Sequence, residues 1–96
     1  MKPKIEVEPL ADGAFQVRVS EGATESSHRL TLKPQYLNRL TAGKIEAPEL
    51  IRRSFEFLLD REPKESILSR FDLQDIQRYF PDFERTIERQ ISSAQQ

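Results

Sequence analysis

The chain has 96 residues, of which 36% are hydrophobic and 32% are charged, with no cysteine and a formal net charge of −1. This length fits one domain over residues 1–96, and the interleaved, nearly balanced charges argue against a nucleic-acid-binding or anionic-membrane-binding surface. The lack of cysteine excludes disulfide bonds and cysteine-ligated metals. Because no apolar run has signal-peptide or membrane-spanning length, we expect a cytoplasmic protein that does not contact membranes.

Residues 1–33 carry the pattern of β-strands, in which apolar and polar side chains alternate. The pairs Asp12–Gly13 and Glu21–Gly22 separate the alternating runs, and both pairs favour tight turns. We therefore predict a three-stranded antiparallel meander with one apolar face. The apolar positions of the three runs are Ile5, Val7 and Leu10, then Phe15, Val17 and Val19, and finally Leu30 and Leu32.

From Pro34 onward the apolar spacing becomes helical, and prolines divide the pattern into short segments. Helices are predicted to start at Pro34, at Pro48, near Pro63, after Asp72 and after Pro81. Asp72, with Asp75 three residues later, has the arrangement of a helix N-cap.

The helix near Pro63 is expected to carry Ile67, Leu68 and Phe71. The predicted fold is therefore α+β, with the meander packed against four or five short C-terminal helices. These helices occupy residues 34–92, and residues 93–96 form a frayed tail.

Residues 54–84 read SFEFLLDREPKESILSRFDLQDIQRYFPDFE. With its SFEFLL, REP, FDL and YFP segments, this stretch resembles a widespread family of small, uncharacterised bacterial proteins. Members of that family have about this length, a β-rich start and a helical end. The resemblance implies a bacterial cytoplasmic protein, and it transfers no activity and no catalytic residue to any position here.

Candidate catalytic and metal-binding residues are few. His28 is the single histidine, and its neighbours Ser26 and Ser27 lack the glycine-rich turn that presents a nucleophile, so we interpret His28 as a structural or partly exposed residue at the sheet margin. Three aspartates, Asp72, Asp75 and Asp82, lie close together in the sequence, but each is better explained by a position at a helix start. We therefore expect no catalytic residue, no metal ligand and no cofactor.

Aromatic residues crowd the second half of the chain, where five of the six phenylalanines lie between residues 48 and 83. Most fit the core face of a helix, while others lie off that face or at a helix break, and exposed aromatic patches mark protein contacts. The leading hypothesis is a non-catalytic protein-interaction module with an unidentified protein partner or a homodimeric state. The predicted contact residues are Phe57, Tyr79, Phe83 and Ile87.

The alternative hypothesis is a nucleic-acid-binding regulator. Residues 64–80 have the outline of two short helices joined by a turn, as in a helix-turn-helix motif. Gln74, Gln77 and Arg78 would then face the bases. The acidic residues interleaved with the nearby arginines weaken this hypothesis, since phosphate neutralisation provides most non-specific affinity.

Overall fold

The computed structural model describes residues 3–94, which form a four-stranded sheet with four helices. The strands are β1 (Lys4–Pro9), β2 (Ala14–Glu21), β3 (Thr24–Thr31) and β4 (Arg70–Asp72), and the helices are α1 (Pro34–Thr41), α2 (Ala47–Leu59), α3 (Ile76–Tyr79) and α4 (Phe83–Ala94). Between residues 3 and 94, no helix combines the length and the apolar character needed to cross a bilayer.

The predicted α+β class and the antiparallel meander of β1, β2 and β3 are confirmed. Asp12 and Gly13, in the turn between β1 and β2, both have positive φ angles, of 60° and 74°. This is the left-handed backbone that Asp–Gly pairs adopt most readily. At the other end of the chain α4 continues to Ala94, so the predicted tail at 93–96 begins inside a helix, and positions 95 and 96 lie outside the described residues.

The segment after Pro63 corrects the sequence prediction. Instead of a helix through Ile67, Leu68 and Phe71, the chain makes a 3-10 turn at Lys64–Ser66 and then the short strand β4. β4 runs parallel to β3, with Leu30 opposite Phe71. Without β4, strand β3 would lie at the edge of the sheet with unpaired backbone N–H and C=O groups. Pairing with β4 satisfies these groups, whereas a helix in the same segment would be too short to be stable on its own.

One hydrophobic core joins the sheet to the helices. The inner face of the meander contributes side chains such as Val17, Val19 and Leu30, all almost completely buried. α2 contributes Phe55 to the same cluster, and α4 contributes Phe83. The opposite face of the sheet carries the charged and polar side chains expected from the period-2 alternation.

Candidate functional site

Among residues 3–92, Leu68 and Tyr79 are the large hydrophobic residues that remain exposed, at 51% and 66% of their surface. Both line one cavity of about 390 Å³, which we call the apolar groove. The groove lies between the end of α2, the segment leading into β4, and α3. Its lining residues are Leu58, Glu62, Ser66, Ile67, Leu68, Phe71, Asp75, Ile76, Tyr79 and Phe80.

The floor of the apolar groove rests on the aromatic side chains of the core. Phe71 packs against Phe55 with 6.1 Å between ring centroids, and Phe80 meets Phe57 edge-on at 5.9 Å. Phe55 and Phe57 are themselves buried on α2. Because close-packed interiors change shape little, this floor is preformed rather than assembled on binding.

One wall of the groove is fixed by His28, which the pairing of β2 and β3 places opposite Val17 on the inner face. The carbonyl oxygen of Leu68 lies 2.8 Å from His28 Nδ1, and the Ser26 hydroxyl lies 2.8 Å from His28 Nε2. A carbonyl can only accept, so Nδ1 donates the hydrogen bond to Leu68, and in the neutral imidazole Nε2 then accepts one from the Ser26 hydroxyl. His28 is thus a buried tether between the sheet and the residue whose side chain forms the groove wall.

The same wall has a second attachment one residue later. The Arg29 N–H donates to the Ser69 carbonyl at 2.8 Å. With two successive carbonyls hydrogen-bonded to β3, the backbone at Leu68 is held in place, although its side chain is exposed to solvent.

The opposite wall is Tyr79, presented by the short helix α3. A capping box precedes this helix: the Gln74 N–H donates to Asp72 Oδ1 at 3.1 Å, and the Asp72 N–H donates to Asp75 Oδ2 at 3.2 Å. The predicted N-cap at Asp72 is therefore confirmed. Ile76 faces the core, and Tyr79, three residues on, remains in solvent at the helix end before Pro81.

The rim of the groove is acidic. Glu62 and Asp75 are the charged residues in its lining, and within the described part of the chain neither forms a salt bridge. The adjacent Arg61 is engaged elsewhere, since its guanidinium lies 3.6 Å from the centre of the Phe57 ring and binds Asp82 at 2.9 Å.

The structure corrects three of the four predicted contact residues. Phe57 is 3% exposed, and Phe83 and Ile87 are fully buried, so these side chains belong to the core rather than to a contact surface. Phe57 lies off the main stripe of α2, but Phe83 and Phe80 pack on it edge-on and Arg61 covers it. Tyr79 is exposed, and its role as a protein contact stays a prediction. Leu68 is the residue that the sequence reasoning missed.

The predicted nucleic-acid contacts lie on a different surface. Gln74, Gln77 and Arg78 line a polar cavity of about 560 Å³ beside α1. The Gln77 side chain is already used, donating to the Pro81 carbonyl at 2.6 Å and accepting from the Glu84 N–H at 2.9 Å. Residues 64–80 contain a 3-10 turn, a strand, a second 3-10 turn and a four-residue helix, so the predicted pair of helices is not formed.

Two further polar groups stabilise the fold outside the groove. Burial and a hydrogen bond to Glu84 raise the pKa of Tyr36 far above its usual range, and the Tyr36 hydroxyl donates to Glu84 Oε2 at 2.8 Å. Lys64 is 3% exposed, and its Nζ donates to the Thr24 hydroxyl at 2.6 Å and to the Glu65 carboxylate. That hydrogen bond lowers the pKa of Glu65.

Within residues 3–94, no three histidine, cysteine, aspartate or glutamate side chains cluster in a way that could hold a metal ion. Two of the aspartates considered above as metal ligands instead have structural partners. Asp72 Oδ2 accepts a hydrogen bond from the Thr31 hydroxyl at 2.8 Å, and Asp82 binds Arg61. No family model, no curated protein and no solved structure matches this chain. The shape and chemistry of the apolar groove are therefore the basis for inferring a function.

Proposed function

We propose that the chain is a non-catalytic protein-interaction module and that it binds its partner in the apolar groove. The observation that carries this proposal is the convergence of the exposed residues Leu68 and Tyr79 on one preformed cavity. Exposed apolar residues scattered singly are common, whereas contiguous ones with a polar rim mark contact surfaces. Tyrosine is also among the residues enriched in the energetic centres of interfaces.

The size of the groove indicates what kind of contact it makes. Its volume of about 390 Å³ accommodates a few side chains rather than a whole folded surface. Fully burying a side chain such as Leu contributes about 1.5–3 kcal/mol. Leu68 and Tyr79, already partly covered at 51% and 66% exposure, can gain only part of that each. Ordering a flexible ligand offsets a further share. We therefore expect a transient complex in which a short segment of the partner enters the groove.

A catalytic role has less support. Both ring nitrogens of His28 are occupied by structural hydrogen bonds, and the residue is buried beneath the groove wall instead of facing the cavity. A general base needs an accessible nitrogen within reach of the substrate proton.

Site-directed photo-crosslinking in the cells that produce the protein tests the proposal. A benzophenone amino acid replaces Tyr79 in one strain and the exposed Arg85 of α4 in the other, and the cross-linked chains are identified by mass spectrometry. We expect discrete protein adducts at position 79 and none of the same size at position 85. Equal labelling at both positions, or nucleic acid as the dominant adduct, would contradict the proposal.

The partner in the groove could be a second copy of the chain. Light scattering on the purified chain at a series of concentrations distinguishes this self-association from binding to a different protein. A mass that doubles with concentration in the wild type but not in Leu68→Asp identifies a second copy as the occupant. Asn38→Asp is the matched control, because it introduces the same change in charge at an exposed position of α1 outside the groove.

A further inference from the structure

Resting on the proposed function, we infer that the apolar groove selects a peptide segment in which bulky apolar side chains are flanked by lysine or arginine. The groove has two chemical parts that together define such a ligand. Its floor and both protruding walls are apolar, through residues such as Phe71, Leu68 and Tyr79, and its charged rim residues are both acidic.

The two acidic rim residues differ in the cations near them. Asp75 also lines the polar cavity that holds Lys33, Arg39 and Arg78. Beside Glu62, the basic residues are Arg61 and Lys64, and both are engaged elsewhere. Arg61 is held by Asp82 and by the Phe57 ring and carbonyl, and Lys64 is buried against Thr24 and Glu65. Arg70 precedes Phe71 on β4, and successive side chains of a strand point to opposite faces, so Arg70 faces away from the groove. The negative charge of Glu62 is therefore available to a ligand.

The position of Glu62 strengthens this conclusion. The Glu62 N–H donates to the Leu58 carbonyl at 2.9 Å, which fixes its backbone just past the end of α2. Its side chain is half-buried, as is that of Asp75. A ligand that covers the groove removes more water from both carboxylates, and that loss is unfavourable unless a cation or a hydrogen-bond donor replaces the water.

Specificity follows from the same energetics. A segment with basic flanks places ammonium or guanidinium groups at the rim, whereas an acidic segment adds repulsion and a neutral one leaves the Glu62 carboxylate uncompensated. A small apolar molecule would fill the floor without satisfying the rim. Among possible occupants, a cationic and apolar peptide is therefore the best match to the groove.

Selection of a displayed random-peptide library on the immobilised 96-residue chain tests the inference. We expect enriched sequences that combine at least two bulky apolar residues with lysine or arginine. Representative peptides are then synthesised, and their binding is measured by fluorescence anisotropy at low and high salt. Three variants of the same peptide carry basic, neutral and acidic flanks.

We expect affinity to fall from the basic to the neutral to the acidic peptide, and to fall for the basic peptide as salt increases. Glu62→Gln should weaken binding of the basic peptide by roughly 1.5-fold to fivefold, the range of exposed ion pairs, and should strengthen binding of the neutral peptide, because no uncompensated charge is then desolvated. Leu68→Asp should weaken both peptides by about tenfold or more, because it places a charge on the apolar wall. Asn38→Asp should change neither.

The outcomes separate the inference from the proposal on which it rests. Enrichment of apolar peptides without basic residues, with binding that still requires Leu68, would overturn the charge preference and leave the docking groove intact. Binding that survives Leu68→Asp, or a selection that enriches nothing, would count against the groove as a docking site and so against both. Circular dichroism of each variant verifies that the fold is retained.

Discussion

The core beneath α2 and the apolar groove beside it both contain large apolar side chains. In the core these side chains are buried, and on the groove walls they are exposed. Phe55, Phe57 and Phe83 are buried between the sheet and the helices, where they contribute to stability. Leu68 and Tyr79 lie within the same stretch of sequence, yet remain in water although their burial would stabilise the fold. The difference indicates that the groove is kept open by its tethers and is not a failure of packing.

Hydrogen bonds between polar groups hold the groove open. The Leu68 carbonyl accepts a hydrogen bond from His28, and a capping box formed by Asp72 and Asp75 starts the 3-10 turn that leads into α3. These hydrogen bonds fix the backbone on both sides of the cavity, so Leu68 and Tyr79 do not collapse onto Phe71 and Phe80. The core should therefore respond to substitution through stability, and the groove through binding.

The largest expected effect is that of Phe83→Ala. The substitution removes a fully buried ring whose centroid lies 5.2 Å from that of the Phe57 ring. Truncating a buried aromatic side chain in this way lowers the free energy of unfolding by about 3–5 kcal/mol. Urea denaturation followed by circular dichroism measures the loss, with Tyr79→Ala as the matched aromatic control. A loss below about 1 kcal/mol for Phe83→Ala would mean that Phe83 is not part of the core.

A smaller effect, shared by both regions, is expected for His28→Ala. The substitution leaves a cavity against Phe55 and deprives the Leu68 carbonyl of its donor, and we expect a loss of about 2–3 kcal/mol. Hydrogen exchange should increase most around residues 66–70, next to the groove. Uniformly unchanged exchange there would show that His28 does not hold the groove wall.

How far the sequence determines these two regions can be judged from particular residues. Strand alternation was predictable because its signal is local, and so was the cap at Asp72. The proline signal predicted the helices near Pro34, Pro48 and Pro81 correctly but failed at Pro63, where a 3-10 turn replaces the predicted helix. β4 was not predictable, because it has three residues and its partner strand is distant: Asp72 bonds Thr31, 41 residues earlier. With that segment predicted as helix, nothing distinguished the exposed Leu68 from the buried Ile67 beside it.

The aromatic residues illustrate the same limit. Phe57 lies off the apolar stripe of α2, which favours an exposed position, but Phe80, Phe83 and Arg61 from distant parts of the chain cover it. Tyr79 has no such cover. Helical phase alone therefore cannot separate a core aromatic from one on the groove wall, since the covering residues are set by tertiary structure.

A still smaller effect concerns Tyr36, whose hydroxyl donates to Glu84 outside the groove. Burial and this hydrogen bond raise its pKa, so its contribution to stability is fully present below the ordinary tyrosine pKa of about 10 and is lost as the pH rises through the folded value. Tyr36→Phe should cost about 1.5 kcal/mol at neutral pH.

Absorbance of the phenolate during alkaline titration checks this assignment. The wild type should show a titration step well above pH 10 that Tyr36→Phe lacks, and the difference in stability between the two proteins should shrink as the pH rises above about 10. Identical titration curves for the two proteins would remove Tyr36 as the perturbed group.

Substitutions of the two exposed groove residues are expected to change stability least and binding most. The double substitution Leu68→Ser with Tyr79→Ser removes both exposed apolar walls, and exposed positions usually change stability by no more than about 0.5 kcal/mol each. Measuring urea denaturation and peptide binding on this one variant tests most directly whether the groove serves recognition. We predict a midpoint close to that of the wild type together with loss of binding; undiminished binding, or unfolding as severe as that of Phe83→Ala, would contradict the account.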